Sequence, residues 1–194
     1  EIIPDLMGKF KANFHTFDGR NNFVVDALGS TSNVTVFKLT SYSDLNTHWV
    51  RSIAAQFRYM GITEDTDLFQ PRKNVDKLLF SHLLSNAFDL EPSSTFEVDS
   101  VSDVSISNEY YNDLMNVLQN KIMSLDSKGN FYPEKLMPRA SVITAVVRAV
   151  ELMQPEIKNQ TFKPVAFPFW DVSKTHWARP YIQKALNWGI LSPS

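Results

Sequence analysis

The side chains best suited to chemistry in this chain recur in a fixed order. An acid is followed, after a short gap, by an adjacent histidine and tryptophan, and a Gly-Ile pair follows the histidine by 13 positions. Carboxylates and imidazoles can move protons or bind metal, whereas indoles offer a flat apolar surface. The four histidines show no spacing typical of metal ligands, so no metal site is expected. The two copies are Asp44, His48-Trp49, Gly61-Ile62 and Asp171, His176-Trp177, Gly189-Ile190.

Catalytic signatures are absent from the sequence. It contains no cysteine, which excludes a thiol nucleophile, a cysteine-ligated zinc site and disulfides. G-x-S-x-G, Walker A and H-E-x-x-H motifs are missing as well. The polar turns at residues 64–67 and 126–130 lack the ligand series of a calcium loop. We therefore predict no enzyme, cofactor or metal, although a glycosidase would need only two acids in a cleft.

Composition narrows the class of protein further. The chain has 194 residues, of which 43% are hydrophobic and 21% charged, as in a globular protein of one domain or two small ones. Its net charge of −2 provides no basic surplus, so we expect no nucleic-acid partner. No apolar run reaches the ~18 residues that a membrane-spanning helix requires.

The recurring residues must be positioned by helices. Apolar residues at intervals of three and four predict helices over residues 49–60 and 177–188, which begin at the two tryptophans. A weaker copy lies between them and predicts a helix over residues 110–121. It begins at Asp103, has Asn108-Glu109 in place of His-Trp, and has Lys121 in place of the glycine.

The first and second copies in chain order continue in the same way. A polar turn leads to a Phe-x-Pro sequence, and a second helix begins a few residues later. These helices are predicted over residues 76–88 and 138–152, so the chain is read as repeated helix–loop–helix units. The two turns are Phe69-Gln70-Pro71 and Phe131-Tyr132-Pro133.

This ordered set resembles the S-layer homology (SLH) family. Its units read roughly F-x-D-V, H-W-A, a helix, G-I/V, F-x-P, and a second helix that starts like T-R-A-E. The third copy matches closely from Phe169 to Ile190, whereas the second is degenerate at His-Trp and glycine. The resemblance implies units at residues 42–92, 96–158 and 167–194, the last truncated before its Phe-x-Pro turn.

The resemblance implies a mainly α fold, with three units packed about a pseudo-threefold axis. In this family, grooves between neighbouring units bind secondary cell-wall polysaccharide, commonly through a pyruvate ketal on a sugar. The implied function is a non-catalytic anchor of a bacterial S-layer-type surface protein, located outside the cell at the wall. The alternative is an SLH-derived assembly module that no longer binds glycan and instead contacts itself or other surface proteins.

A glycan groove of this kind needs a cation for the carboxylate, a ring as a platform for the sugar, and an acceptor for its hydroxyl protons. Arg139 occupies the arginine slot of the T-R-A-E-like start, and Lys77 occupies it in the first unit. We predict that the best groove combines Arg139, Asp171, Trp177 and Gly189. The other candidate glycan-binding residues are Lys77, Asp44, Trp49, Gly61 and Asp103.

Each candidate also has a structural interpretation. The acids precede helices and could cap their entry, and the glycines fit helix C-caps with positive φ. The tryptophans could anchor the core edge of their helices. The cations could be solvent-facing residues of a first helical turn, a position that the helix dipole makes mildly unfavourable for positive charge.

Residues 1–41 lie outside the repeat. Residues 1–14 have an amphipathic helical pattern, and residues 23–28 and 34–39 predict a β-hairpin around a turn at 29–33. Because Ile3-Pro4-Asp5 resembles Met137-Pro138-Arg139, residues 3–14 could supply the second helix that the third unit lacks. They would then cover the face of Ala178, Ile182 and Ala185. Alternatively, residues 1–41 are an appendage, or a swapped neighbour or a C-terminal segment completes the unit.

Overall fold

The computed structural model describes residues 19–27, 30–38, 40–93, 101–161 and 165–192. The chain divides into two compact units between Pro71 and Arg72. Within the described residues, the first unit holds a β-hairpin and one α-helix, and the second holds four α-helices. This content confirms the predicted mainly α class with a small N-terminal hairpin.

The hairpin consists of β1 (Gly19–Ala27) and β2 (Ser30–Lys38), which pair in antiparallel register from Gly19↔Lys38 to Ala27↔Ser30. The hairpin itself is confirmed, but the predicted five-residue turn is wrong in extent, because residues 30–33 already belong to β2. Two-residue connections are common between antiparallel strands, because the backbone twist of such a turn matches the twist of the strands on either side.

The first unit has its core around Tyr42, Leu45 and Ala54. Its helix is α1 (Arg51–Tyr59), which buries Ala54 and Ala55. A short 3₁₀ helix, Ser43–Leu45, precedes it. The larger apolar residues on the predicted face of α1 are exposed, because the small alanines provide its buried face. These exposed residues are Trp49, Ile53, Phe57 and Met60.

The second unit contains two helix pairs. Helix α2 (Lys77–Ala87) packs on α3 (Tyr111–Gln119), and α4 (Arg139–Met153) packs on α5 (Arg179–Asn187). A 3₁₀ helix, Pro155–Asn159, follows α4. All five α-helices fall within their predicted ranges, apart from a single residue at the end of α4. Each pair joins the second helix of one sequence copy to the first helix of the next.

This pairing corrects one expectation. Because the third unit lacks a second helix, the face of α5 formed by Ala178, Ile182 and Ala185 was expected to be partly uncovered unless another segment packed on it, yet these residues are only 0–3% exposed. They lie in a core cluster with Ile143 and Val147 of α4. Helix α4 of the preceding copy therefore supplies the cover. The proposed covering segment, residues 3–14, lies outside the described residues.

The helix ends confirm the predicted C-caps. Gly61, Lys121 and Gly189 all have positive φ, at 72°, 57° and 72°. In each copy the N–H of the next residue, an isoleucine, donates to the carbonyl five positions earlier at 2.9 Å. This is the Schellman arrangement, which satisfies carbonyls that the helix leaves open. Lys121 adopts the same geometry without being glycine, at some cost in backbone strain.

Asp44 and Asp103 do not cap helices; they hold distant turns. The Asp44 carboxylate accepts the N–H groups of Phe69 and Gln70 at 2.9 and 2.7 Å. Asp103 accepts those of Phe131 and Tyr132 at 2.7 and 2.6 Å. Gln70 and Tyr132 are in the left-handed region, with φ of 58° and 59°, and this turns both N–H groups toward one carboxylate.

The hydrogen bonds to the first of these turns also change the pKa of Asp44. Hydrogen bonds from the Phe69 and Gln70 N–H groups lower the pKa of Asp44, because they stabilise its ionised form.

The second turn has an additional attachment. The Tyr132 hydroxyl donates to Asp126 at 2.6 Å, and Asp126 also accepts the N–H groups of Lys128 and Asn130. These bonds, the one from Tyr132 first, lower the pKa of Asp126 to about 2. The same contact raises the pKa of Tyr132. Asp126 therefore fixes the Tyr132 ring while Asp103 fixes its backbone.

Replacing Asp103 by asparagine should destabilise the second unit by about 1–2 kcal/mol. The asparagine side chain has one acceptor oxygen, so its NH₂ group would face one of the two backbone N–H groups, of Phe131 or Tyr132, without a hydrogen bond. Urea denaturation measures the effect. Asp171→Asn is the matched control, because Asp171 stands at the same motif position, but among the described residues nothing donates to its carboxylate. Equal losses in the two variants would contradict the assignment.

Asp126→Asn should make stability less dependent on acid pH. Because the folded pKa is about 2 against an ordinary 3.8, Asp126 contributes stability above pH 3.8 and loses it as the pH falls through 2. The difference in unfolding free energy between native chain and variant should therefore shrink from pH 5 toward pH 2. A difference that stays constant over this range would show that the charge of Asp126 has no role.

Candidate functional site

The first helix of each copy is preceded by a side-chain acceptor at the histidine position. His48 Nδ1 accepts the Val50 N–H at 3.3 Å, and His176 Nδ1 accepts the Ala178 N–H at 3.2 Å. In the second copy the Asn108 side-chain oxygen accepts the Tyr110 N–H at 2.9 Å. The histidines are thus structural acceptors, and asparagine replaces them without changing the geometry.

The tryptophans do not anchor the core edge as one interpretation predicted. Trp49 is 80% exposed and Trp177 is 57% exposed. Each ring lies beside the preceding histidine, with centroids 5.8 and 5.6 Å apart. The helix-entry bond orients the histidine, and the histidine in turn supports an indole that faces solvent. Exposed indoles supported in this way can serve as binding surfaces.

A groove of about 410 Å³ lies in the second unit. This volume is within the ~300–1,000 Å³ that is typical of small-molecule sites. Its walls are formed by Lys77 at the start of α2, the segment that follows α3, and the segment from Tyr132 to the start of α4. Helix α4 and Trp177 complete them. Its charged, aromatic and hydroxyl-bearing residues include Lys77, Lys135, Arg148, Tyr132, Trp177 and Ser141.

The groove is electropositive although the chain carries a net charge of −2. Among the described residues that line it, three are cationic and none is acidic. Lys77 Nζ donates to the Phe131 carbonyl at 2.7 Å and lies 4.1 Å from the centre of the Phe131 ring. Arg148 donates to the Ile122 carbonyl at 3.2 Å and to the Tyr181 hydroxyl at 3.3 Å. Both cations are therefore oriented by neutral partners.

Burial lowers the pKa of Lys77, and repulsion from Lys135 lowers it further. The distant carboxylates of Asp103 and Asp126 act in the opposite direction. A bound anion would offset both unfavourable effects. The groove is thus suited to a ligand that carries negative charge.

Two aromatic rings complete the site. Trp177 is more than half exposed at one wall, and Tyr132 is partly exposed and is held by Asp126. Rings of this kind provide apolar platforms, while hydroxyls such as that of Ser141 can exchange hydrogen bonds. Together the residues can hold an anionic molecule that also has apolar faces and hydroxyl groups.

The predicted site residues are distributed differently from the expectation. Of the four residues of the predicted groove, Trp177 lines the observed one. Arg139 lies over the Phe169 ring at 5.8 Å, outside the groove lining. Asp171 is exposed, and Gly189 ends α5 with open space where a Cβ would be.

The remaining candidates fall into three groups. Lys77 lines the groove. Asp103 does not line it but holds the turn that carries Tyr132. Asp44, Trp49 and Gly61 belong to the first unit.

Sequence reasoning missed Lys135, Arg148 and Tyr132. Arg148 could have been noticed, because it is a lone cation in the apolar run of residues 145–150. Lys135 follows the Phe-x-Pro turn by two positions, but nothing in the sequence distinguishes it from other surface lysines.

Two further properties concern metals and membranes. Within the described ranges, no three histidine, aspartate or glutamate side chains come together as metal ligands could. None of the described helices has the length and apolar character needed to cross a bilayer.

Comparison with protein families gives one match. Residues 102–143 match the family model of the S-layer homology domain, from the Asp103 region through α3 and the Phe-x-Pro turn into α4. No curated protein matches the chain. S-layer homology domains are non-catalytic modules that anchor proteins at the cell surface by binding secondary cell-wall polysaccharide. The matched copy is the one with the most altered motif, and it places an S-layer homology domain at residues 102–143 of this chain.

Proposed function

We propose that this chain anchors a surface protein to the cell wall by binding an acidic polysaccharide in the groove of Lys77, Lys135, Arg148 and Trp177. The observation that carries the proposal is the lining of this groove, which has three cations, two partly exposed rings and no acid among its described residues. A pyruvate ketal on a sugar fits this lining, because it presents a carboxylate beside the apolar face of a ring.

The energetics favour a carboxylate over a neutral sugar. A charge-assisted hydrogen bond contributes about 1.5–3 kcal/mol, roughly twice a neutral bond. Lys77 is partly buried, so water screens its interaction with an anion less than at an open surface. Because Phe131 and Ile122 carbonyls already orient Lys77 and Arg148, little side-chain freedom is lost on binding.

Recurring local geometry supports a tandem arrangement. The side-chain acceptor at the helix entry and the positive-φ residue at the helix exit recur in all three copies, and the aspartate-held turn occurs in the first two. We therefore propose that the other two copies are also S-layer homology units. In this proposal Asp103 positions the groove, and Arg139, Asp171 and Gly189 make no contact with the ligand in it.

Sedimentation with purified cell walls tests the function. Three wall preparations distinguish the ligand: untreated walls, walls treated with mild acid to remove the ketal, and walls extracted to remove the whole polymer. We expect the chain to sediment with untreated walls only. Equal binding to acid-treated walls would contradict the role of the carboxylate, and binding to extracted walls would contradict the polymer as ligand.

Paired substitutions test the groove. Lys135→Ala and Trp177→Ala should each weaken wall binding about tenfold, which corresponds to ~1.4 kcal/mol, and leave the melting temperature unchanged. Matched controls are Lys128→Ala and Trp170→Ala, which remove the same side chains outside the groove; Trp170 is 94% exposed. Binding that weakens equally in the controls would show that the groove is not the site.

The alternative function is protein assembly without glycan binding. The exposed apolar face of α1, with Trp49, Phe57 and Met60, favours it. It makes the opposite prediction in the same assay: no sedimentation with any wall preparation, together with self-association in solution.

A further inference from the structure

Helix α1 has an apolar stripe that no described helix covers. The stripe consists of Ile53, Phe57 and Met60, which are 44%, 40% and 64% exposed. It lies on a different side of α1 from Ala54 and Ala55, the residues that α1 buries. Among the described residues of the first unit, α1 is the only α-helix. Large apolar side chains at this spacing are typical of a helix that packs against another helix.

The corresponding positions of α5 are covered. A positive-φ glycine follows each of the two helices, Gly61 after α1 and Gly189 after α5, and this aligns them residue by residue. The positions of α5 that match the stripe all pack in the core cluster that α5 forms with α4. These positions are Tyr181, Ala185 and Trp188. The stripe of α1 is therefore the surface on which α4 packs in the third copy.

The second copy follows the same rule at the central position of the stripe. Val117 of α3 corresponds to Phe57, and it is fully buried in a core cluster that includes Leu84 of α2. Helix α2 precedes α3 in the chain and packs on it, as α4 precedes α5 and packs on it. By the same rule, the cover of α1 should come from a helix that precedes it.

Residues 3–14 have the sequence pattern of such a helix. Their apolar residues fall on one side of a helical wheel; they are Ile3, Leu6, Met7, Phe10 and Phe14. The segment belongs to the same unit as α1 and precedes it in the chain. Since α4 already covers α5, the third copy does not require this segment.

The hairpin between this segment and α1 does not keep them apart. Its first and last residues, Gly19 and Lys38, lie opposite each other in the antiparallel pair. The chain therefore leaves the hairpin beside the point where it entered it, and residues 39–50 lead from there to α1. Residues 15–18, which join the segment to the hairpin, span at most about 14 Å.

We infer that residues 3–14 bind the apolar stripe of α1 within the same chain and cover Phe57 as α4 covers Ala185. The stripe is part of the surface that favours the alternative assembly function. With residues 3–14 bound, it is not available to a second copy. The inference does not rest on the proposed binding of wall polysaccharide.

Paramagnetic relaxation enhancement on the ¹⁵N-labelled 194-residue chain tests the contact. The chain has no cysteine, so Lys9→Cys provides a single attachment point for a nitroxide, outside the apolar pattern of the segment. We expect the nitroxide to broaden the Trp49 indole and Gly61 amide signals, because the axes of packed helices lie only about 8–10 Å apart.

Two substitutions in the nitroxide-labelled chain test the apolar side of the segment. Phe10→Asp should abolish the broadening, because a charge in an apolar contact is unfavourable. Ala12→Asp is the matched control, since Ala12 lies on the opposite side of the same helical wheel, and the broadening should remain. Broadening that Phe10→Asp leaves unchanged, or that both variants lose equally, would overturn the inference.

A third substitution tests the stripe from the side of α1. Met60 is 64% exposed, so Met60→Asp should leave the core of the unit intact and reduce the broadening as Phe10→Asp does. Broadening that persists in Met60→Asp would contradict the stripe as the binding surface.

A mixed sample distinguishes contact within one chain from contact between two. It combines a ¹⁵N-labelled chain without nitroxide and a nitroxide-labelled chain without ¹⁵N, so only contacts between chains cause broadening. We expect sharp Trp49 and Gly61 signals in this sample. Broadening equal to that in the single-chain sample would assign the stripe to a second copy and overturn the inference, as would its absence from both samples. No wall polymer is present, so neither result depends on the proposed anchoring function.

Discussion

A carboxylate that accepts two adjacent backbone N–H groups controls the geometry of the second unit. Asp103 holds Phe131 and Tyr132 in this way, and it stabilises a left-handed tyrosine that would otherwise be strained. Several contacts follow from this turn. The Phe131 ring enters the core while its carbonyl accepts Lys77 Nζ, and the carbonyls of Pro133 and Lys135 accept the first N–H groups of α2. The turn thus docks α2 and shapes the groove at once.

The charges of the groove depend on the same contacts. Lys77 donates to the Phe131 carbonyl and is partly buried there, near Lys135, and no described carboxylate forms an ion pair with it. Its lowered pKa reflects an environment that is unfavourable for positive charge. Keeping Lys77 ionised in the folded chain therefore lowers the free energy of unfolding. An anion in the groove would relieve that cost. In the function that we propose, the groove is thus prepared for negative charge before a ligand binds, which distinguishes it from a cluster of surface lysines.

Sequence periodicity was sufficient to predict the helices, because each helix has an apolar repeat. The first helix of each copy also has a side-chain acceptor at its entry and a positive-φ residue at its exit. It was not sufficient to predict how the helices pair. The local pattern does not show that α4 covers α5, so residues 3–14 were considered as the cover for the face of Ile182. The groove was missed in part for the same reason: Lys77, Arg148 and Trp177 lie far apart in sequence and meet only through that pairing.

The second copy separates the motif into residues that the fold requires and residues that it does not. Asn108 replaces histidine and still accepts the helix-entry N–H, and Lys121 replaces glycine and still adopts positive φ. These changes alter the sequence but keep the geometry. The tryptophan is different, because Glu109 replaces it and no packing depends on that position, which is solvent-exposed in all three copies. A large apolar side chain that is exposed and has no core contacts lowers solubility and does not stabilise the fold. Trp177 retains that side chain at the wall of a cationic groove, which supports the binding role that we propose for it.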